Sequence, residues 1–356
     1  MPLRGILLGF LLFQSLLGAG EVRAGWLERK LMVNGAGATF PYPLYSRWFA
    51  AYEKVHPGLA FNYQSIGSGG GIRQLLDQTV DFGASDAPMS DEQLKKAKSP
   101  ILHVPATMGA VVLSYQKPGL QSPLKLSGDV IADIFLGKIN RWADPRIVDL
   151  NPAEKAVLES PDHPDILVVH RADGSGTTSI FSEYLSKSSE EWKKRVGKGS
   201  ALRWPVGIGG KGNEGVTSFI KQIPGSIGYV ELVFAKTLKL SVASVKNAKG
   251  EFIEPSPASV TLAAEGALSV IPEDFRASIT LVAAKGAYPI SSFTYILVYD
   301  RTPKGPGRAA LFGFLDWALR QGQEMSPALN YAPLPAPLVK RVLDRLARSE
   351  QEILRP

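Results

Sequence analysis

Three times along this chain a short run of strand character gives way to a loop of glycine, serine or threonine, and each loop opens a segment of helical periodicity. In the first unit L-M-V-N leads into G-A-G-A-T-F-P-Y-P, after which Leu44, Trp48, Tyr52 and Val55 share one helical face. The prolines stand at the expected helix start, where a missing N–H costs little. In the second, L-A-F-N-Y-Q-S-I alternates Leu59, Phe61 and Tyr63, then turns through G-S-G-G-G into a helix with Ile72, Leu75, Leu76 and Val80 on one side. In the third, the continuous run I-L-V-V-H ends in R-A-D-G-S-G-T-T (171–178), ahead of Ile180, Phe181, Tyr184 and Leu185. Strands alternating with helices in this way predict α/β lobes with largely parallel sheets, whose ligands bind beyond the carboxyl ends of the strands. The runs A-V-V-L-S-Y (110–115) and F-T-Y-I-L-V-Y (293–299) read as further strands and are the expected places for the chain to cross between lobes. The P-K-G-P-G stretch at 303–307 reads as a linker-like turn.

At 356 residues the chain is long enough for two domains, each with its own core. Its first 24 residues, with Arg4, an apolar run from Ile6 to Leu17 and small residues after it, read as a secretory signal peptide cleaved after Ala24, with Gly20 as the rival site. The apolar run is short for a membrane span. With no cysteine, neither a disulfide framework nor a lipid-modified cysteine is possible, so a soluble protein is expected; with no further long apolar run its destination is the periplasm or the outside medium, the periplasm being favoured. The net charge of +7 is spread among 33 acidic residues with no dense basic run, which argues against nucleic acid as a partner.

A helix N-terminus presents unpaired N–H groups and the positive end of the helix dipole, and so binds anions without a lysine cluster. A single such loop is usually only a cap; three in one chain point to a cradle. Arg171 adds a planar guanidinium able to engage two oxygens at once, or else to pair with Asp173 on the surface. After the strand-like alternation of Val80, Phe82 and Ala84 comes Asp86, a carboxylate that would repel a fully ionised anion but could accept a hydrogen bond from a protonated one. Alternatively Asp86 caps the following S-D-E-Q-L helix, a role Ser90 could fill instead. G-I-G-G-K-G (207–212) matches a dinucleotide fingerprint, but R-W-P-V before it is a poor strand, and the match is read as accidental. His170, Asp173 and Ser175 supply the letters of a hydrolase triad but crowd into six residues, and the four histidines show no metal spacing. No catalytic residue, metal site or cofactor is expected.

Seven blocks in order, G-A-G-A-T-F-P, I-G-S-G-G-G, T-V-D-F-G-A-S-D-A-P, G-K-I-N-R-W, R-A-D-G-S-G-T, G-G-K-G-N and G-S-I-G-Y-V-E, together resemble the periplasmic phosphate-binding protein of the high-affinity phosphate ABC importer. The resemblance runs from about residue 31 to Asp316, Trp317 and Tyr331. It implies a two-lobed, hinged α/β binding protein, not an enzyme, acting as a monomer that closes on inorganic phosphate and delivers it to the permease and ATPase subunits of a phosphate transporter. Carried over by position, the phosphate contacts would be Thr39, Phe40, Ser68, Asp86, Arg171, Ser175, Gly176 and Thr177. One lobe would comprise 25–107 with 286–356 and the other 108–285, joined by the two strand runs noted above. Two positions depart from the pattern: Gly69 stands where serine is frequent, and His170 where a basic residue often precedes Arg171. A secreted phosphoryl-handling enzyme and a binder of another tetrahedral oxyanion are the rival readings.

Overall fold

The structure, a computed structural model, describes residues 30–300 and 306–352; the expected signal peptide and residues 303–305 of the linker-like turn lie outside the described residues. The three expected units all form. β1 (Leu31–Gly37) is followed by the helix Tyr42–Val55, which buries Leu44, Trp48 and Tyr52. Val55, expected on the same face, is instead 63% exposed in the last turn, beyond the reach of the sheet. β2 (Leu59–Ser65) leads into the helix Ser68–Leu76, which ends four residues before Val80 and so leaves that residue outside the apolar face assigned to it. β3 (Phe82–Ser85) completes this set, with β1 parallel to both β2 and β3.

β4 (Ile101–Tyr115) carries the chain onward, β5 (Lys125–Leu126) opens a small excursion, and the third unit is β6 (Leu167–Arg171) with the helix Gly176–Ser188. That helix buries Ile180, Phe181, Tyr184 and Leu185, all four as expected from their spacing. A fourth unit follows that the sequence did not announce. β7 (Ile208–Gly210) turns through Lys211 into the helix Gly212–Gln222, which buries Val216 and Ile220. β8 (Ser226–Glu231), β9 (Ser241–Val242), β10 (Ser244–Lys246), β11 (Phe252–Ile253) and β12 (Ser291–Tyr299) complete the strands among the described residues.

The main sheet runs β2-β1-β3-β12-β4-β8-β6-β7, with β9 added to β4; β11, β10 and β5 form a separate small sheet. Two parallel blocks, β2-β1-β3 and β8-β6-β7, are therefore joined through antiparallel neighbours. β4 does the joining: Ile101–Ala110 pair with β12, and Val111–Tyr115 pair with β8. The run 110–115 thus begins at the changeover, whereas 293–299 lies wholly beside β3 and the first part of β4. The returning chain meets the changeover just before β12, where Val111 N–H donates to Ile290 O at 2.9 Å.

Large aromatic side chains fix both blocks. Trp48 is fully buried and donates its indole N–H to Gly322 O at 2.7 Å, while Trp192, also buried, donates to Gly197 O at 2.8 Å. Each such side chain contributes roughly 1.5–3 kcal/mol through apolar burial, and the indole donor is satisfied rather than stranded. The parallel pairing places the carboxyl ends of β1, β3, β6 and β7 at Gly37, Ser85, Arg171 and Gly210, and the residues just beyond those ends meet one another.

Candidate anion-binding site

Four helices begin at this meeting point: Tyr42–Val55, Ser68–Leu76, Gly176–Ser188 and Gly212–Gln222. Their first N–H groups have no intrahelical acceptor. Two of those loops touch directly. Gly69 N–H donates to Gly174 O at 2.9 Å, and Gly176 N–H donates to Ser68 Oγ at 3.0 Å. Only glycine permits this approach: a Cβ on Gly176 would stand 2.5 Å from Ser68 Oγ and 2.7 Å from Asp86 Oδ2. At Gly69 a Cβ would lie 3.2 Å from Gly174 Cα, so a serine here would press on the opposite loop.

The residues expected as ligands from sequence converge. Thr39, Phe40, Ser68, Asp86, Arg171, Ser175 and Thr177 are all buried, as is Gly176. Among the described residues, the N–H groups of Phe40, Ser68 and Thr177 donate to no protein acceptor. The Phe40 loop is held by Tyr331, whose hydroxyl donates to Phe40 O at 2.6 Å. Ser175 caps its helix, its Oγ accepting Thr178 N–H at 3.0 Å.

Asp86 is the one carboxylate aimed into the cradle from the first block. Its Oδ1 accepts Thr294 Oγ1–H at 3.0 Å, its Oδ2 lies 3.4 Å from Ser68 Oγ, and its carbonyl accepts Ser292 Oγ–H at 3.1 Å. Burial pushes its pKa up to about 7, against the opposing pull of the Thr294 hydroxyl, the Arg171 charge and the Ser68 hydroxyl. Near neutral pH this group is poised between its two protonation states. It does not cap the next helix, because Ser90 does, in a reciprocal capping box with Gln93.

Arg171 stands at the end of β6, and its side chain is 1% exposed. Of the two sequence alternatives the structure shows the pairing with Asp173, but inside the site rather than on the surface. Nε and Nη2 donate to the Asp173 carboxylate at 2.8 and 2.6 Å, leaving Nη1 to reach Thr177 Oγ1 at 3.3 Å. Gly212 N–H also donates to Asp173 at 3.0 Å. Burial alone would raise the Asp173 pKa, but the Arg171 hydrogen bonds and charge, with the Gly212 amide, hold it below the usual carboxylate range. The guanidinium charge is thus already balanced by Asp173, and the donors here without a protein acceptor are chiefly backbone amides.

The triad letters do not assemble. The His170 ring stacks on Trp204 at a centroid distance of 4.8 Å, Asp173 faces Arg171, and Ser175 caps a helix. Among the described residues no group of three or more His, Cys, Asp or Glu side chains could hold a metal ion, and no helix is long and apolar enough to cross a membrane. The sequence missed Thr294, Asn213 and Tyr229, whose hydroxyl accepts Arg171 N–H at 3.1 Å. Thr294 and Tyr229 lie inside apolar strand runs far from the loops they serve, where local pattern carries no signal. Asn213 was within reach, since the Gly-Gly-Lys-Gly-Asn loop followed by Val216 and Ile220 repeats the strand–loop–helix pattern.

Comparison with known proteins agrees with this arrangement. A PBP superfamily domain matches residues 23–321. The phosphate-binding protein PstS of Xylella fastidiosa (strain Temecula1) is 45% identical over 318 residues, covering 88% of this chain and 84% of that protein. This chain belongs to the PstS family. The PstS protein of Pasteurella multocida is 44% identical, covering 87% and 88% of the two chains. Among solved structures, a phosphate-binding protein from Stenotrophomonas maltophilia superposes with a TM-score of 0.68 at 19% identity, over 88% of this chain and 93% of that one. A phosphate ABC transporter substrate-binding protein from Clostridium perfringens, described as putative and with phosphate bound, gives 0.60 at 19% identity, over 86% and 100%. The fold is the two-lobed α/β fold of these binding proteins.

Proposed function

We propose that this chain binds inorganic phosphate between its two lobes and hands it to the permease and ATPase subunits of a phosphate ABC importer. The observation that carries the reading is a buried cradle of donors holding one acceptor, Asp86. An anion seated among the Phe40, Ser68 and Thr177 amides, the Thr39, Ser68, Ser175 and Thr177 hydroxyls and the Arg171 guanidinium finds donors on every side. Only an oxyanion that carries its own hydrogen satisfies Asp86 as well. Hydrogen phosphate does; above about pH 7, where Asp86 is chiefly ionised, sulfate meets that carboxylate with an oxygen and no proton. Hydrogen bonds to a charged group contribute about 1.5–3 kcal/mol each, so several together offset desolvation and support a micromolar or tighter Kd.

The lobes proposed are 25–107 with 286–356 and 108–285, with the hinge at Ala110–Val111 of β4 and at the Ile290 return beside it. That β4 exchanges one partner strand for another at this point supports the placement. Closure then follows from the contacts each lobe lends the anion, since both sets are complete only when Gly69 meets Gly174. The protein is proposed to act as a periplasmic monomer after loss of residues 1–24, and as a carrier rather than an enzyme.

Calorimetry with phosphate and sulfate in parallel at pH 8, where Asp86 is ionised, tests the reading. Tight phosphate binding with sulfate weaker by at least about a hundredfold is expected; equal affinities would remove the role given to Asp86. Incubation with a chromogenic phosphomonoester and divalent metals is expected to give no turnover.

A further inference from the structure

Asn213, at the start of the fourth strand–loop–helix unit, is fully buried between the two blocks. Its side-chain orientation is fixed. Glu231 N–H donates to Oδ1 at 3.0 Å, so that atom must be the carbonyl oxygen, and the amide nitrogen points the other way. From there Nδ2 donates to Thr39 Oγ1 at 2.7 Å, across the cleft, and lies 3.5 Å from Thr177 Oγ1. The Asn213 backbone N–H also reaches Thr39 Oγ1, at 3.3 Å.

A hydroxyl oxygen has two lone pairs and one hydrogen. On Thr39 both lone pairs face N–H donors from Asn213. On Thr177 they face Arg171 Nη1 and Asn213 Nδ2. Each hydroxyl has only its hydrogen left to offer, and a free hydroxyl that could turn either way becomes a committed donor. An anion has only acceptors, so a hydroxyl locked as a donor is worth more to it than one that must first be turned. Ser68 Oγ likewise accepts Gly176 N–H at 3.0 Å and Asp86 N–H at 3.3 Å, but its hydrogen is directed to Asp86 Oδ2 at 3.4 Å, so there the lock serves the carboxyl group.

We infer that Asn213 is a positioning residue for anion binding: it sets the donor polarity of the Thr39 and Thr177 hydroxyls, and it does so fully only when the lobes close, because Thr39 and Asn213 belong to opposite sides. This rests on the phosphate-binding reading above and adds to it a residue that itself need not touch the ligand. Glu231 serves the arrangement through its backbone amide, and its own side chain caps the helix Leu232–Thr237 by accepting Val233 N–H at 2.6 Å.

A double-mutant cycle on phosphate affinity tests it, with Asn213→Ala, Thr39→Val and the double variant measured by calorimetry beside the wild type. Each single change is expected to weaken binding by roughly tenfold or more. Once Thr39 lacks its hydroxyl, Asn213→Ala is expected to cost only about threefold further, through Thr177. Losses that multiply in full, or an Asn213→Ala affinity equal to wild type, overturn the inference. Should Asn213→Ala not fold, Asn213→Asp keeps the shape and the bond from Glu231 N–H but replaces the donor by an acceptor. It is expected to weaken phosphate by at least about a hundredfold because the Thr39 hydrogen turns toward the new carboxylate, and unchanged binding would overturn the inference equally. A wild type that does not bind phosphate refutes the functional reading itself, whereas wild-type binding with multiplicative losses refutes only the role of Asn213.

Discussion

The loops after β1–β3 and those after β6–β7 are built on one plan, a strand giving way to a loop of small residues and a helix beginning, yet they bring different chemistry to the cleft. The first side offers amides, hydroxyls and the Asp86 carboxyl, with no cation among them. The second brings Arg171, but brings Asp173 with it, so the guanidinium arrives neutralised. The contrast separates selection from grip. On the proposed reading, the first side would ask whether the anion carries a hydrogen and the second would hold its oxygens with a cation oriented by its own counter-ion.

Removing the grip has the largest expected effect. Arg171→Ala takes away Nη1 and strands Asp173 in the cleft, unpaired and facing the anion. Phosphate affinity is expected to fall by roughly a thousandfold, about 4 kcal/mol, by calorimetry. If the loss is small, the two sides are not divided as described.

The next effect concerns the footing of the first side. His103 on β4 accepts Met89 N–H at 3.0 Å through Nε2, and so is needed neutral. Burial, then the nearby Arg276 charge, push its pKa down to about 4. Because the unfolded chain takes up this proton more readily, stability is lost as pH falls from about 6.5 to about 4. The loss is about 3 kcal/mol, seen as a falling thermal midpoint that His103→Gln should flatten.

Removing the selector comes third. Asp86→Asn is expected to weaken phosphate by about 2 kcal/mol, roughly thirtyfold, and to bring sulfate within tenfold of it in competition calorimetry. Its pH signature has the opposite sign to that of His103. A raised carboxyl pKa means the folded state holds the proton more tightly, so ligand-free wild type loses stability as pH rises from about 4 through 7. The asparagine variant should therefore be the more stable of the two at pH 8 by thermal melting. The smallest change serves as a control: Ser90→Ala removes a helix cap on the first side away from the anion, and is expected to cost about 1 kcal/mol of stability with phosphate affinity unchanged.

What could be read from the chain divides along similar lines. The three loops at 37–41, 66–71 and 171–178 were legible because each lies between a strand-like run and a helix whose apolar spacing is local. The helical faces failed only where a helix ended early or ran out of sheet, at Val80 and Val55. The fourth loop was passed over because β7 is only three residues long and the stretch before it contains proline. Thr294, which donates to Asp86 across 208 residues of chain, could not have been found by any local rule. The eight candidate residues meet in one place, but how their hydroxyls are turned is decided by Asn213 and Gly176, and that information exists only in three dimensions.

One consequence follows from the meeting of Gly69 with Gly174 and of Gly176 with Ser68. Where Gly69 meets Gly174 the wall of the proposed chamber is main chain on both sides, with no side chain to trim, so a substitution at either glycine could narrow it but not enlarge it. A bulkier ester would be kept out by an exclusion that drift at single positions cannot easily erode, and admitting such a molecule would take a longer loop.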